Sequence, residues 1–187
     1  MNFNRHSELE GTHAFLSASK YHWINYPEEK IIASFRNQRA KEQGTDLHAF
    51  AEHAIRLGQK LEKIPKTINM YVNDAIGFRM IPEQILFYSI NCYGTADAIS
   101  FRKSFLRIHD LKNGVIPASM NQLEIYCALF CLEYQISPHD IGMETRIYQN
   151  DQALIHAPNP DDIRTKMDKI ILADRLITQV RLEESDD

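Results

Sequence analysis

Residues 82–112, PEQILFYSINCYGTADAISFRKSFLRIHDLK, decide the fold that this sequence predicts. The run Glu83–Ile90 is rich in residues that favour β-strands, and Gly94–Phe101 and Leu106–Leu111 are two further short runs of the same kind. The segment Arg102–Ser104 between the last two runs is short and polar, which is typical of a hairpin connection. The stretch therefore predicts three strands in succession.

Helical patterns lie on both sides of these strands. Before them, the sequence predicts a short helix over residues 20–23, a helix opened by Pro27-Glu28-Glu29, and helices over about 46–60 and 67–78. After them come a helix over Pro117–Tyr134, a strand over Met143–Gln149 that ends in the turn Asn150-Asp151, and a helix over Asn159–Arg181. This order predicts an α/β fold with a mixed central sheet flanked by helices and a helical N-terminal part, in one domain over residues 1–187.

The composition is typical of a folded protein of average polarity. Hydrophobic residues make up 44% and charged residues 25% of the chain, which disfavours disorder. The longest apolar stretches, such as Ile85–Ile90 and Ile125–Leu132, are too short to span a bilayer, and the segment MNFNRHSELEG lacks the apolar core of a signal peptide. We therefore expect a cytoplasmic protein. The net charge of −4 disfavours bulk coating of nucleic acid but is compatible with an acidic metal site beside a basic groove.

The chain has three cysteines, and their spacing does not indicate a disulfide framework. Cys127 and Cys131 lie four residues apart on one face of a predicted helix. A metal bound there would need ligands from elsewhere, because no second cysteine pair or nearby histidine completes a tetrahedral site. We interpret both as buried small hydrophobic residues.

Two aspartates and a lysine stand near the strand ends in an arrangement that suits metal-dependent hydrolysis. Asp97 lies in the second predicted strand and Asp110 near the end of the third, so their carboxylates converge if the strands are neighbours. Close carboxylates repel each other and favour a cation, and such oxygen ligands suit Mg²⁺ or Mn²⁺. Lys112 lies two residues after Asp110 and therefore on the same face, where its ammonium group can position water or stabilise a phosphate. The structural alternatives are turn or cap roles for the aspartates and an exposed edge position for Lys112.

Gln122 and Tyr126 lie four residues apart, on one face of the helix that follows Lys112 after a short turn. A glutamine amide and a tyrosine hydroxyl can bind phosphate oxygens, and the tyrosine ring can stack on a base. The alternative interpretation makes Tyr126 a core aromatic residue with a solvated hydroxyl group.

Five short motifs, taken in chain order, resemble the RecB-like branch of the PD-(D/E)xK nucleases. This branch includes the exonuclease domains of bacterial recombination machines, CRISPR-associated exonucleases and phage recombination nucleases. The motifs are Leu16-Ser17-Ala18-Ser19, Gly44-Thr45-Asp46-Leu47-His48, Gly94-Thr95-Ala96-Asp97, Asp110-Leu111-Lys112 and Gln122-Leu123-Glu124-Ile125-Tyr126. The resemblance runs from about Leu16 to Tyr126, and it implies a restriction-endonuclease-like fold.

The resemblance also implies roles for individual residues. It makes His48, Asp97 and Asp110 metal ligands, together with the main-chain carbonyl of Leu111. It makes Asp97, Asp110 and Lys112 the catalytic set. An imidazole ligand favours Mn²⁺ over Mg²⁺, because nitrogen suits transition metals. Without the resemblance, His48 is equally well a helix-surface or core histidine, and we place Glu83 only at the rim of the site.

The sequence departs from some relatives in its cofactor residues. Those relatives bind an iron–sulfur cluster through one upstream and three C-terminal cysteines, whereas no cysteine follows Cys131 here. We therefore expect no cluster. No GxxxxGK[ST] loop is present, so we also expect no ATP-driven unwinding by this chain.

These features predict a Mg²⁺- or Mn²⁺-dependent deoxyribonuclease. The resemblance implies a bacterial or phage-infected cell and favours an exonuclease acting on linear duplex or single-stranded DNA. The alternatives are a structure-specific or nicking endonuclease, a non-catalytic DNA-binding module on the same fold, and a regulatory protein without a nucleic-acid role. A homo-oligomer or a recombination partner protein is a further possibility. Two groups of basic residues are candidates for backbone contacts: Lys60, Lys63 and Lys66, and Arg102, Lys103 and Arg107.

Overall fold

The computed structural model of the protein describes residues 15–16, 18–114 and 118–185. Contacts between residues divide the chain into two compact units, Met1–Gln43 and Gly44–Asp187. The expectation of one domain over residues 1–187 therefore stays a prediction.

The first unit contains the short helix expected near residue 20. This segment is a 3₁₀ helix over Ala18–Asn25. The rings of Phe15 and Phe35 lie edge to face in this unit, with 5.2 Å between their centroids. Ser17, from the first motif, lies outside the described residues, as does Pro117, the expected start of a later helix.

Helix α1 spans Glu28–Leu57 and begins directly after Pro27, where the sequence predicts a helix start. The prediction of a separate helix from about residue 46 is wrong, because α1 continues through Gly44. A glycine inside a helix costs about 1 kcal/mol relative to alanine, which is not enough to end a helix of this length. A Cβ atom added at Gly44 would lie 3.0 Å from Nδ2 of Asn113, so the glycine allows the Asn113 side chain to approach the helix.

The second unit builds a mixed five-stranded sheet with helices before and after it. The elements after α1 are α2 (Thr67–Gly77), β1 (Ile81–Ser89), β2 (Cys92–Arg102), β3 (Phe105–Leu111), α3 (Asn121–Glu133), a 3₁₀ turn (Pro138–Asp140), β4 (Gly142–Gln149), β5 (Gln152–His156) and α4 (Pro160–Ser185). The strands lie in the order β1-β2-β3-β4-β5. The β3–β4 pair is parallel and the other pairs are antiparallel, which confirms the predicted mixed sheet.

Helices cover the sheet through two hydrophobic cores. One core joins α3 and α4 to the sheet and includes Leu123, Ile163 and Ile108. The other core joins α2 and the C-terminal part of α1 to the sheet, and it includes Val72 and Leu111. Cys127 and Cys131 belong to the first core, which confirms their interpretation as small buried residues. None of the helices that the structure describes is both long and apolar enough to cross a membrane.

Candidate metal centre

Strands β1 and β2 are irregular where each contributes an acidic residue. Pro82 pairs with Ala98 and Gln84 with Ala96, so Glu83 lies opposite Asp97. Glu83 has a φ of 50°, in the left-handed region that costs a non-glycine residue about 1–3 kcal/mol. Side chains around Asp97 do not alternate strictly between the two faces of the sheet. Strict alternation would place Ala96 and Ile99, which are three residues apart, on opposite faces, but both belong to the same hydrophobic core. Backbone strain of this kind often accompanies functional sites.

His48 of α1 completes a three-residue cluster with these two acids. Its Nδ1 atom lies 3.5 Å from Oδ2 of Asp97 and 4.0 Å from Oε1 of Glu83. One potential ligand atom from each residue lies within 4.8 Å of the other two, and all three side chains are partly buried. An imidazole and two carboxylates at this spacing can hold a divalent cation.

Asp110 adds a fourth acid, and it is only 1% exposed. Its Oδ1 atom accepts a hydrogen bond from Nζ of Lys112 at 3.0 Å. Its Oδ2 atom is buried and has no hydrogen-bond partner among the described residues. A buried carboxylate oxygen without a partner is costly, and a bound cation would satisfy it.

The two aspartates are electrostatically linked. Burial raises the pKa of Asp97 above its ordinary value, while the bond from the backbone N–H of Leu111, 2.8 Å from Oδ2, opposes this shift. Burial also raises the pKa of Asp110, and the Asp97 carboxylate raises it further, against the opposing effect of Lys112. Burial is the largest cause of both shifts, so each carboxylate lies where its charged form is poorly solvated.

A chain of polar contacts leads from Asp110 to helix α3. Nζ of Lys112 donates a hydrogen bond to Oε1 of Gln122 at 3.2 Å. Nε2 of Gln122 donates in turn to the Tyr126 hydroxyl at 3.3 Å. The Tyr126 ring lies against Gly94, where an added Cβ atom would be 2.9 Å from Cε1 of the ring. Gly94 is therefore required for close packing of α3 on β2.

The structure brings together the side chains that the sequence predicts for the site. His48, Asp97, Asp110, Lys112, Gln122 and Tyr126 form one connected set in the second unit. Leu111 contributes its backbone N–H to Asp97, while its side chain is fully buried in the second core. Their roles as ligands and catalytic residues stay predictions.

Glu83 lies in the cluster with His48 and Asp97, whereas the sequence predicts it only at the rim of the site. Its partnership with His48 depends on the strand register and on the left-handed backbone at residue 83. The sequence offers one sign of this position, because Glu83 directly follows Pro82 at the start of the predicted strand. That sign does not reveal how the strand pairs with β2.

Two cavities of different character adjoin the cluster. A cavity of about 450 Å³ is lined by His48, Glu83 and Glu52, and Glu52 pairs with Arg56 at 2.8 Å. A cavity of about 370 Å³ lies beside Lys112 and is lined also by Lys66. The cavity on one side of the cluster is therefore lined by acidic side chains, and the cavity on the other side carries the ammonium groups of Lys66 and Lys112.

No protein-family model matches this sequence, and a search of curated proteins finds no match. The interpretation of the cluster therefore rests on the side-chain geometry and on the order of the motifs.

Proposed function

We propose that this protein is a metal-dependent nuclease that hydrolyses phosphodiester bonds in DNA, with a restriction-endonuclease-like fold of the PD-(D/E)xK type. The observation that supports it most is the buried, unpartnered Oδ2 atom of Asp110 next to Lys112 and Asp97. A purely structural carboxylate at 1% exposure would normally have both oxygens satisfied. The preferred mode is exonucleolytic, following the resemblance to recombination and phage nucleases.

The donor set fits a hard or borderline divalent cation. Asp97, Asp110 and Glu83 offer carboxylate oxygens, and His48 offers an imidazole nitrogen. Oxygen ligands suit Mg²⁺ and Mn²⁺, and the imidazole shifts the preference toward Mn²⁺. When bound, such an ion lowers the pKa of a coordinated water and neutralises charge on a phosphate.

The remaining side chains act on the substrate and on the attacking water. The Lys112 ammonium, held between Asp110 and Gln122, lies where it can stabilise the charge that develops on the phosphate. The Gln122 amide oxygen accepts from that ammonium on the α3 side, and the amide nitrogen donates to the Tyr126 hydroxyl. Both the amide and the hydroxyl can bind phosphate oxygens themselves. Lys112 is thus oriented by contacts on both sides before the substrate binds.

Cleavage of defined DNA substrates tests this proposal. End-labelled linear duplex, linear single strand and closed circular DNA are incubated with Mg²⁺, Mn²⁺ or EDTA, in parallel with Lys112→Ala. We expect metal-dependent loss of the linear substrates, and a rate lower by roughly 10²–10³-fold in the variant with DNA binding retained.

The other outcomes identify the alternatives. Cutting of the closed circle would indicate an endonuclease. DNA binding without cleavage under any metal condition would indicate a non-catalytic module. Full activity of Lys112→Ala would show that the proposed site is wrong.

A further inference from the structure

The cavity beside Lys112 has the chemistry of a phosphate-binding groove. Its volume of about 370 Å³ lies in the range of ~300–1,000 Å³ that is typical of small-ligand pockets. Its polar lining consists of Lys66, Lys112, Thr67, Asn69, Asn113, Asn150 and Asp151, with the apolar side chains of Leu47 and Ile68. Two ammonium groups and three amides face a single carboxylate, so the lining suits a ligand with negative charge and hydrogen-bonding groups.

That single carboxylate is already engaged by the protein. Oδ1 of Asp151 accepts hydrogen bonds from the backbone N–H of Thr67 at 2.9 Å and from the Thr67 hydroxyl at 3.1 Å. The backbone N–H of Asp151 donates back to the same hydroxyl at 2.7 Å. Asn150 and Asp151 both have left-handed φ angles, so the tight turn between β4 and β5 positions this carboxylate at the start of α2.

Lys66 is held only loosely in the absence of a ligand. Its Nζ atom lies 3.2 Å from Oδ2 of Asp151, and the two side chains are 63% and 46% exposed. An ion pair with this exposure contributes about 0–1 kcal/mol. The Lys66 ammonium can therefore turn to another anion at little energetic cost.

We propose that this cavity binds the nucleotide next to the scissile phosphate, with Lys66 contacting its phosphate group. This inference rests on the proposed nuclease function, since Lys112 links the cavity to the catalytic set. The polyanionic strand leaves the metal centre on this side because this cavity carries the ammonium groups of Lys66 and Lys112. The other cavity is lined instead by Glu83 and by Glu52, which is paired with Arg56.

Lys66 and Lys63 provide a matched pair of variants for the test. Both lysines are exposed, but Lys63 does not line the cavity. Binding of a labelled single-stranded oligonucleotide is measured over a series of salt concentrations, with Ca²⁺ in place of the catalytic ion. For Lys66→Ala we expect roughly tenfold weaker binding and a salt-dependence slope reduced by about 0.7. Lys63→Ala should match the wild type, and Lys66→Arg should restore most of the affinity.

Steady-state cleavage gives a second readout of the same inference. We expect Lys66→Ala to raise KM roughly tenfold and to leave kcat nearly unchanged, because Lys66 contacts neither the scissile phosphate nor the ligand residues. Unchanged KM and salt slope in a wild-type background that cleaves DNA would overturn the cavity assignment and leave the nuclease function intact. Equal losses in Lys63→Ala would overturn it too. A wild-type protein that binds the oligonucleotide without cleaving it would instead remove the nuclease function, and the salt slope would still decide the cavity.

Discussion

Two neighbouring residues of β3, His109 and Asp110, are both buried polar groups, yet the protein treats them in opposite ways. His109 is 0% exposed and Asp110 is 1% exposed. They face opposite sides of the sheet because side chains alternate along a strand. The His109 ring packs against Phe78 and Tyr148, and its Nδ1 atom lies 3.4 Å from the Tyr148 hydroxyl.

On the His109 side, the protein supplies its own charge balance. Burial, with the charges of Arg146 and Arg107, lowers the pKa of His109 to about 3, so its ring is neutral at physiological pH. The Tyr148 hydroxyl donates to Asp74 at 2.6 Å, and Arg146 donates to the same carboxylate oxygen at 3.0 Å. Tyr148, Asp74 and Arg146 thus form a closed network of hydrogen bonds. Nε2 of His109 beside it is buried without a partner among the described residues, but the neutral ring carries no charge that needs balancing.

On the Asp110 side, the charges do not balance. Lys112 pairs with Asp110, and His48 lies beside Asp97 and Glu83. Arg56, which lies near Glu83, is already paired with Glu52. Burial of a polar group is therefore not enough by itself to indicate a functional site. Each side has a buried atom without a hydrogen-bond partner among the described residues, Nε2 of His109 and Oδ2 of Asp110, and the distinguishing feature is that the second belongs to a carboxyl group in an acidic cluster whereas the first belongs to a neutral ring.

Replacement of Asp110 should have the largest effect on this contrast. Asp110→Asn keeps the shape of the side chain but removes its charge, so we expect cleavage to fall at least as far as in Lys112→Ala. The increase in melting temperature that Mn²⁺ gives the wild-type protein should also disappear. Thermal unfolding with and without Mn²⁺ measures this effect, and an unchanged metal response would exclude Asp110 as a ligand. Asp74→Asn, on the closed side, should lower the melting temperature but preserve the metal response.

Asp110→Asn should also change how the stability of the metal-free protein depends on pH. The pKa of Asp110 is raised in the folded protein, so its favourable contribution is complete below about pH 4 and is lost as the pH rises through the raised pKa. The asparagine side chain does not ionise, so Asp110→Asn does not lose stability in this way as the pH rises. The free energy of unfolding of the variant, relative to the wild type, should therefore increase between pH 4 and pH 7. A constant difference across this range would show that Asp110 ionises normally.

Gly94→Ala should have the next largest effect, because it acts on the site through packing. The added methyl group would lie 2.9 Å from the Tyr126 ring, which must move and thereby lose its contact with Gln122. We expect the free energy of unfolding to fall by about 1–3 kcal/mol, with weaker cleavage. Denaturant unfolding and cleavage rates measure both effects. Gly77→Ala is the control, since an added Cβ there meets nothing within 4 Å; equal behaviour of the two variants would contradict the packing argument.

The sequence predicts the elements of this fold better than their arrangement. Strands β1 to β4 and helices α2, α3 and α4 lie close to their predicted positions, because their apolar patterns and turn residues are local features. Strand β5 was not predicted, since four of its five residues are exposed and it has no alternation of apolar side chains. His109 and Asp110 face opposite sides of the sheet, as strand alternation requires, and the His109 ring packs against Phe78.

The candidate site shows the same limit. The order of the motifs was enough to select the six side chains that the structure connects, because each motif is local and the connecting strands are adjacent. Glu83 was underrated because its position depends on pairing with β2 and on a left-handed backbone, and neither is visible in the sequence. Lys66 was one of six basic residues considered equally, and only the fold places it beside Lys112.

We expect the smallest effects from Tyr148→Phe and Tyr126→Phe, because each variant removes a single hydroxyl group from one face of the sheet. The Tyr148 ring is fully buried and packs edge to face on Tyr71, so the phenylalanine ring should keep its place. Loss of the bond to Asp74 should lower the free energy of unfolding by about 0.5–1.5 kcal/mol without changing the metal response or the cleavage rate. Tyr126→Phe should do the reverse, with little loss of stability and slower cleavage, because its hydroxyl accepts from the exposed Gln122. If Tyr148→Phe slowed cleavage as much as Tyr126→Phe, the closed network would be supporting the metal centre through β3, and the two faces would act as one site.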